Sequence, residues 1–436
     1  VKNNPKLLKS LLTLGSIFQF TVSFASTQTP VSLESAYFAA LKNNRSVPIQ
    51  QEVVNQSAET ARQAIGSLLP TITGTASVLQ QPAPTNATVA GIYPTSQPLI
   101  KITATQPIFK GFAEYAGLRQ TKLQKENQME QKAQTELTLF TNVVQSFYSI
   151  LSTENDLKNL HTAINYYDEQ IQELKQRVEI GKSQLSDVLT TESSTAGLKA
   201  QVELLKGQIE AARETFEFVT GISRDTVLVD DTPAPPQPEP LEHYLEFRDQ
   251  RPDIRSNRIL VDVNHEQINI ARAGHLPTIN ATADYYFLRY GSLSDINWDV
   301  GFTVTMPLFS GGNVQSQVRS AASLEHQSVL TLNQTELQAQ AQIKSYYQTL
   351  IADQAQVKAY KLGAEMAQKN YFELVREYKL GLVAHLNVLT ALANFQDTRR
   401  NLDKTAYQVK IDWANLQSSI GKRPLLSKET SEGKTP

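Results

Sequence analysis

Apolar residues recur at alternating three- and four-residue steps through two long stretches of this chain, and at two-residue steps through four short ones. The first long track runs Leu157, Leu160, Ile164, Tyr167, Ile171, Leu174 and Val178. The second runs Val357, Tyr360, Ala364, Ala367, Tyr371, Leu374 and Tyr378. That spacing specifies a coiled-coil seam. Leu137, Phe140, Val144, Phe147 and Leu151 obey the same rule, but the phase slips across Ser152–Asp156, which changes the local supercoil. No proline interrupts residues 112–178 or 313–378. Each stretch predicts one helix of about 67 residues, roughly 100 Å long at ~1.5 Å per residue. Return helices are predicted over 185–220 and 385–420, with Leu198, Val202, Leu205, Ile209, Phe216 and Val219 on the seam of the first. Shorter helices stand ahead of each strand pair. Ser32 caps one, with Leu33, Ala36, Tyr37, Ala40 and Leu41 on a single face; others cover 46–66, 241–249 and Pro252 to Ala273. Stacked end to end, a short helix and a return helix match one long helix. The result is a rod two helices wide in each repeat.

The two-residue period marks strands over 70–80, 98–108, 277–289 and 298–308. In the first, Ile72, Gly74, Ala76 and Val78 alternate with Thr71, Thr73, Thr75 and Ser77. In the last, Trp298, Val300, Phe302, Val304 and Met306 alternate with Asp299, Gly301, Thr303 and Thr305. Lys101 and Asp284 fall on the polar side of their strands and are read as solvated residues lining a lumen. One apolar and one hydroxyl-rich face over about 10 residues is the pattern of a transmembrane barrel strand. A soluble antiparallel sheet also has one wet face, but no other element is predicted to cover the apolar one. Tyr285, Tyr286, Phe287, Tyr290 and Trp298 cluster towards one hairpin end, as an interfacial girdle does. Four strands cannot close a barrel, since small closed barrels have about eight. Two chains would supply about eight strands and three chains about twelve.

The chain is built twice. VEIGKSQLSDVL at 178–189 answers YKLGLVAHLNVL at 378–389, with Gly181 and Gly381 standing 200 positions apart. TQPIFKG at 105–111 answers TMPLFSG at 305–311 at the same offset. Pro107 and Pro307 are expected to stop a strand, and Gly111 and Gly311 to allow the turn into a helix. A Pro-rich linker, 230–240, separates a first repeat (26–229) from a second (241–423), and a polar tail follows from 424 to 436. Lys2, Lys6 and Lys9 ahead of an apolar run to Phe24 read as a signal peptide over 1–25.

Composition then narrows the classes. A net charge of −2 and scattered Lys and Arg exclude a nucleic-acid partner. The chain has no cysteine, so disulfides and Cys-ligated zinc are excluded. The six histidines, His161, His243, His265, His275, His326 and His385, show no ligand spacing. No nucleophile elbow, phosphate loop or catalytic carboxylate pair is present. We expect no cofactor, no metal and no enzymatic activity.

Together these features resemble the outer-membrane efflux protein (TolC) family, over nearly the whole mature chain. The resemblance rests on the duplicated LPT strand starts, the TQPIF and TMPLF strand ends and the duplicated G-x₅-[DN]-V-L tips. It implies a mainly α fold with a small β part: a long antiparallel α-helical coiled-coil barrel and four transmembrane β-strands per chain. A homotrimer would share a twelve-stranded barrel in the outer membrane, with a long periplasmic extension. It further implies an exit duct of a tripartite efflux or type I secretion system, docked to a periplasmic adaptor and an inner-membrane transporter. The duct would conduct small molecules or polypeptides passively.

Single residues inherit roles from the same resemblance. The helix–turn–helix tips would form the periplasmic entrance, closed at rest by bonds between repeats. Asp187 of the first tip would bond Tyr378 of the second. The arginine that joins them in the family falls on Val383, so that contact is expected to be missing. Aspartate rings of some members fall on Asn387 and Thr390, which predicts weaker cation selectivity than an acidic entrance gives. Gly181 and Gly381 would mark the tip turns and the surface that receives the adaptor. The plainer readings make Tyr378 the last seam residue, Asp187 a charge favoured at a helix N-terminus, and the glycines turn formers. A soluble periplasmic coiled-coil adaptor, with the hairpins as a small β-domain, is the competing class.

Overall fold

The computed structural model describes residues 30–82, 95–290 and 293–423. The segment read as a signal peptide, the polar tail from Pro424 and most of the loop between the first two strands lie outside the described residues. In chain order the elements are α1 (Leu33–Asn43), α2 (Ser46–Gly66), β1 (Thr71–Gln80), β2 (Ser96–Lys110), α3 (Ala113–Glu179) and α4 (Leu185–Thr220). Then follow α5 (Leu241–Glu246), α6 (Pro252–Arg272), β3 (Thr278–Leu288), β4 (Trp298–Thr305), α7 (Asn313–Lys379) and α8 (His385–Ser418).

α3 and α7 are each 67 residues long. Nothing in them breaks a helix, and their apolar seams are buried by neighbours rather than by a globular core. α3 packs along α2 and α6 near the sheet, and along α4 and α8 towards the far end; α7 packs along α6 and α8. So α2 and α4 lie in tandem on one side of α3, and α6 and α8 lie in tandem between α3 and α7. The join between α2 and α4 is sealed by side chains. Asn43 donates to the Thr220 carbonyl at 3.1 Å and Asn44 to the Val219 carbonyl at 2.9 Å, satisfying carbonyls that the end of a helix leaves without partners. Beside this join, Tyr37 meets Phe140 edge to face at 5.2 Å, and both are buried with Phe147 and Phe216.

At the height where the heptad phase slips, polar pairs cross between helices. Arg400 of α8 holds Asp156 of α3, with Nη2 2.9 Å from Oδ2, and Asn159 donates to Asp403 at 2.8 Å. A continuous apolar ridge cannot pass through this level, so the Arg400–Asp156 ion pair and the Asn159–Asp403 hydrogen bond fix the register of α3 against α8 instead.

The four strands form one antiparallel sheet in the order β1-β2-β3-β4. Registration puts Ile72 beside Ala104, Ile102 beside Tyr285 and Ala283 beside Val300. One sheet face is therefore apolar across all strands, and the other carries Thr, Ser, Lys and Asp. Pro107 does not end its strand. β2 runs on to Lys110, with a register shift between Pro107 and Phe109. An irregularity absorbs a residue that has no N–H for the ladder. β4 does end before Pro307, at Thr305. Gly111 (φ 67°) and Gly311 (φ 60°) turn the chain into the long helices. At Gly111 a Cβ would stand 2.7 Å from the Ala273 carbonyl oxygen, so only glycine fits there.

Candidate functional site

The two repeats meet at the ends of α3 and α7, and both helices stop by the same device. Gly181 has φ 70° and Gly381 φ 77°, a region costing an L-residue roughly 1–2 kcal/mol. Lys182 N–H donates to the Arg177 carbonyl at 2.7 Å, and Leu382 N–H to the Glu377 carbonyl at 3.0 Å. These six-to-one bonds close the last turn of each helix. The glycine roles in the turns follow from backbone geometry alone.

The Asp187 carboxylate caps the helix that follows. Its Oδ2 accepts from the Gln184 N–H at 3.4 Å and from the Ser183 hydroxyl at 2.9 Å. Tyr378 is not bonded to Asp187 directly. The phenol oxygen lies 3.1 Å from Ser183 Oγ. Since Ser183 gives its single proton to the carboxylate, Tyr378 donates to Ser183. The expected cross-repeat link is thus a relay through a residue of the intervening loop.

An arginine does reach Tyr378, from the other repeat. The Arg177 guanidinium carbon lies 4.6 Å from the centre of the Tyr378 ring, in range for cation–π attraction. Its Nη2 donates to the Tyr378 carbonyl at 3.4 Å. Glu173 then faces two cations, Arg177 of its own helix at 3.5 Å and Lys379 of α7 at 3.4 Å. Val383, where the resemblance seeks an arginine, packs against the apolar core of the tip instead.

One turn deeper, Thr191 of α4 and His385 of α8 touch, with Oγ1 3.0 Å from Nε2. Both are buried. Burial pushes the imidazole pKa below its ordinary value, against the smaller opposing pull of the Asp187 and Glu173 carboxylates. Beneath them Leu174, Val188, Tyr371, Val388, Leu392 and Phe395 form the apolar core of the tip. Asn387 and Thr390 stand exposed on α8, and the Thr390 hydroxyl donates to the Leu386 carbonyl at 2.9 Å. Outside, Ile180, Leu185, Leu380, Leu382 and Leu386 are 62 to 71 % exposed, a large apolar cluster for a water-facing turn.

At the sheet end, Lys101 Nζ lies 2.9 Å from Asp284 Oδ1, and Thr103 also donates to that carboxylate. The Tyr286 phenol donates to Asp299 at 3.0 Å. All sit on the polar face of the sheet. Asp284 and Lys101 are therefore paired with each other on that face. Ser183, Arg177, Thr191 and His385 carry no role in the sequence reading. Their only signal is position: Ser183 and His385 lie inside the duplicated tip motif, and Arg177 and Thr191 lie next to it.

Comparison with known proteins supplies the class. The family model described as Outer membrane efflux protein matches residues 36–221 and 244–422. The chain belongs to the outer membrane efflux protein family. Within that family, Outer membrane protein TolC of Vibrio cholerae is 23 % identical over 306 residues, covering 67 % of this chain and 69 % of its own. The alkaline protease secretion protein AprF of Pseudomonas aeruginosa is 23 % identical over 334 residues, covering 73 % and 69 %. The crystal structure of the outer membrane protein VceC from Vibrio cholerae superposes with a TM-score of 0.79 at 17 % identity, over 89 % of this chain and 96 % of that one. The Campylobacter jejuni CmeC outer membrane channel gives 0.79 at 15 % identity, over 99 % and 98 %. This efflux family protein is thus a non-enzymatic outer-membrane channel for efflux or secretion, with its helical part in the periplasm. The soluble-adaptor alternative is set aside. Among the described residues no helix is long and apolar enough to cross a membrane.

Proposed function

We propose that three copies of the chain complete one passive duct, that the paired tips form its periplasmic entrance, and that an adaptor and an inner-membrane transporter act there. The unfilled edges carry this reading. β1 and β4 are each paired on one side only, and exposed edges seek partners. Joining β4 of one copy to β1 of the next gives a ring of about twelve strands. Ile72, Val78 and Phe302 then face lipid, and Lys101 and Asp284 face the lumen. The same junction sets α7 of one copy against α2 and α4 of the next. α7 leaves Leu324, Leu330 and Leu337 44 to 68 % exposed, and α4 leaves Phe218 84 % exposed. Phe218 borders a cleft of about 740 Å³ with Ile49, Leu139 and Val219 in its wall.

The exposed leucines of the tips suit a partner that presents an apolar coiled-coil end. Relatives are named for protease secretion and for antibiotic efflux. A passive tube whose cargo is chosen upstream serves either. The test is extraction and electrophoresis. The mature protein should need detergent, migrate as a heat-sensitive trimer and form conducting channels in planar bilayers. Release in an osmotic wash, or a stable monomer without conductance, would overturn the proposal.

A further inference from the structure

We infer that His385 is a proton-operated latch of the entrance: its Nε2–H holds Thr191 of the opposite repeat, and protonation at Nδ1 releases α8 from α4. This rests on reading the tips as the entrance.

Hydrogen bonding at Thr191 fixes the tautomer. The threonine hydroxyl has one proton and donates it to the Asp187 carbonyl at 2.7 Å. At the 3.0 Å contact with His385 it can therefore only accept. The imidazole carries its proton on Nε2, and Nδ1 is left with a bare lone pair. That atom is buried without a hydrogen-bond partner, in a side chain only 3 % exposed. The neutral ring tolerates this, because the Tyr378 ring covers it at 5.3 Å between centres. A second proton changes the balance. It places a full charge, and an N–H with no acceptor, in a site shut off from water. An unpaired buried donor and a buried charge are both costly.

The groups around the ring do not cancel that cost. On α4 the nearest charge is Asp187, whose carboxylate is engaged by Ser183 and Gln184. On α3 it is Glu173, engaged by Arg177 and by Lys379 of α7. Tyr378 is the facing titratable group on α7. The two carboxylates favour the imidazolium, but burial outweighs them and holds the closed-state pKa below that of a free histidine. In an open tip the ring meets water and regains an ordinary pKa near 6.5. Protons therefore bind the open form more tightly. Each unit of difference shifts the open-to-closed ratio about tenfold at pH values below both pKa values.

The experiment is single-channel recording of the trimer in planar bilayers between pH 7.5 and 4.5, wild type beside His385→Gln. The glutamine amide still donates to Thr191 but does not titrate. Wild-type conductance or open time should rise on acidification, and the variant should lack that component. His385→Asn serves in its place if the glutamine variant does not assemble. A flat wild-type response, or an equal rise in wild type and both variants, overturns the latch. Tyr378→Phe recorded at pH 7.5 separates the two readings. If it opens the channel while acid does nothing, the latch fails and the entrance reading stands. If neither acid nor any tip substitution alters conductance, both fail.

Discussion

The Ser183 hydroxyl lies 3.1 Å from the Tyr378 phenol and 2.9 Å from the Asp187 carboxylate. One loop residue thus joins the two repeats at the tip. Ser183→Ala removes both bonds, and Tyr378→Phe removes one. At about 1 kcal/mol per bond, loss of the phenol shifts the closed state against the open one roughly fivefold. Conductance at neutral pH should rise in both variants, and the double variant should add little to Ser183→Ala. Additive effects would mean that the two residues act separately.

Lys101 and Asp284 compensate each other on the polar face of the sheet, the face proposed above to line the lumen. Lys101→Met strips the positive partner and leaves Asp284 without that counter-charge in each copy. Reversal potentials in a salt gradient should then shift towards cation preference, while Asp284→Asn shifts them the other way. Selectivity unchanged in both would place the pair off the conducting path.

Asp412 is buried between α8 and α7. Desolvation, followed by the neighbouring Asp353 carboxyl, pushes its pKa up to about 7. The folded pKa exceeds the unfolded value of about 3.9. Its contribution to stability is therefore complete below about pH 4 and is lost as pH rises through about 7. Asp412→Asn removes this dependence. The wild-type Tm in detergent should fall between pH 5 and pH 8 by more than that of the variant, each pKa unit being worth about 1.4 kcal/mol.

Phe218 is 84 % exposed on the free side of α4. If the next copy covers it, burial contributes about 1.5–3 kcal/mol per junction. Phe218→Ser should lower the temperature at which the trimer dissociates on a gel and leave the helix content of the chain unchanged. An unaltered dissociation temperature would remove Phe218 from the junction.

The tip leucines test the proposed docking surface. Leu382 is 71 % exposed, so Leu382→Glu should weaken binding to the adaptor with trimer assembly intact. Gly181→Arg tests the same surface, but forces an L-residue into φ 70° and should also cost roughly 1–2 kcal/mol of local stability. Unimpaired adaptor capture by both variants would move the docking surface elsewhere.

Sequence alone determined what is local or periodic. The 3-4 rhythm of Leu160, Ile164, Tyr167 and Ile171 set a helix and its buried stripe, because a helix presents the same face every two turns. The alternation of Ile72 to Val78 set a strand with two chemically different faces. The duplication placed equivalent turns at Gly181 and Gly381. Period also exposed the slip at Ser152–Asp156, though not the Arg400–Asp156 pair that occupies that height. Only the tertiary structure decided which side chains meet across repeats. Arg177 reaches Tyr378, Ser183 stands between Tyr378 and Asp187, and Thr191 meets His385. Each contact depends on the axial register and rotation of helices 34 to 67 residues long against one another. Shifting one helix by a single residue moves a side chain ~1.5 Å along the axis and turns it roughly 100° about it. No pattern within either helix records that relation, because it is fixed by packing summed along their whole length.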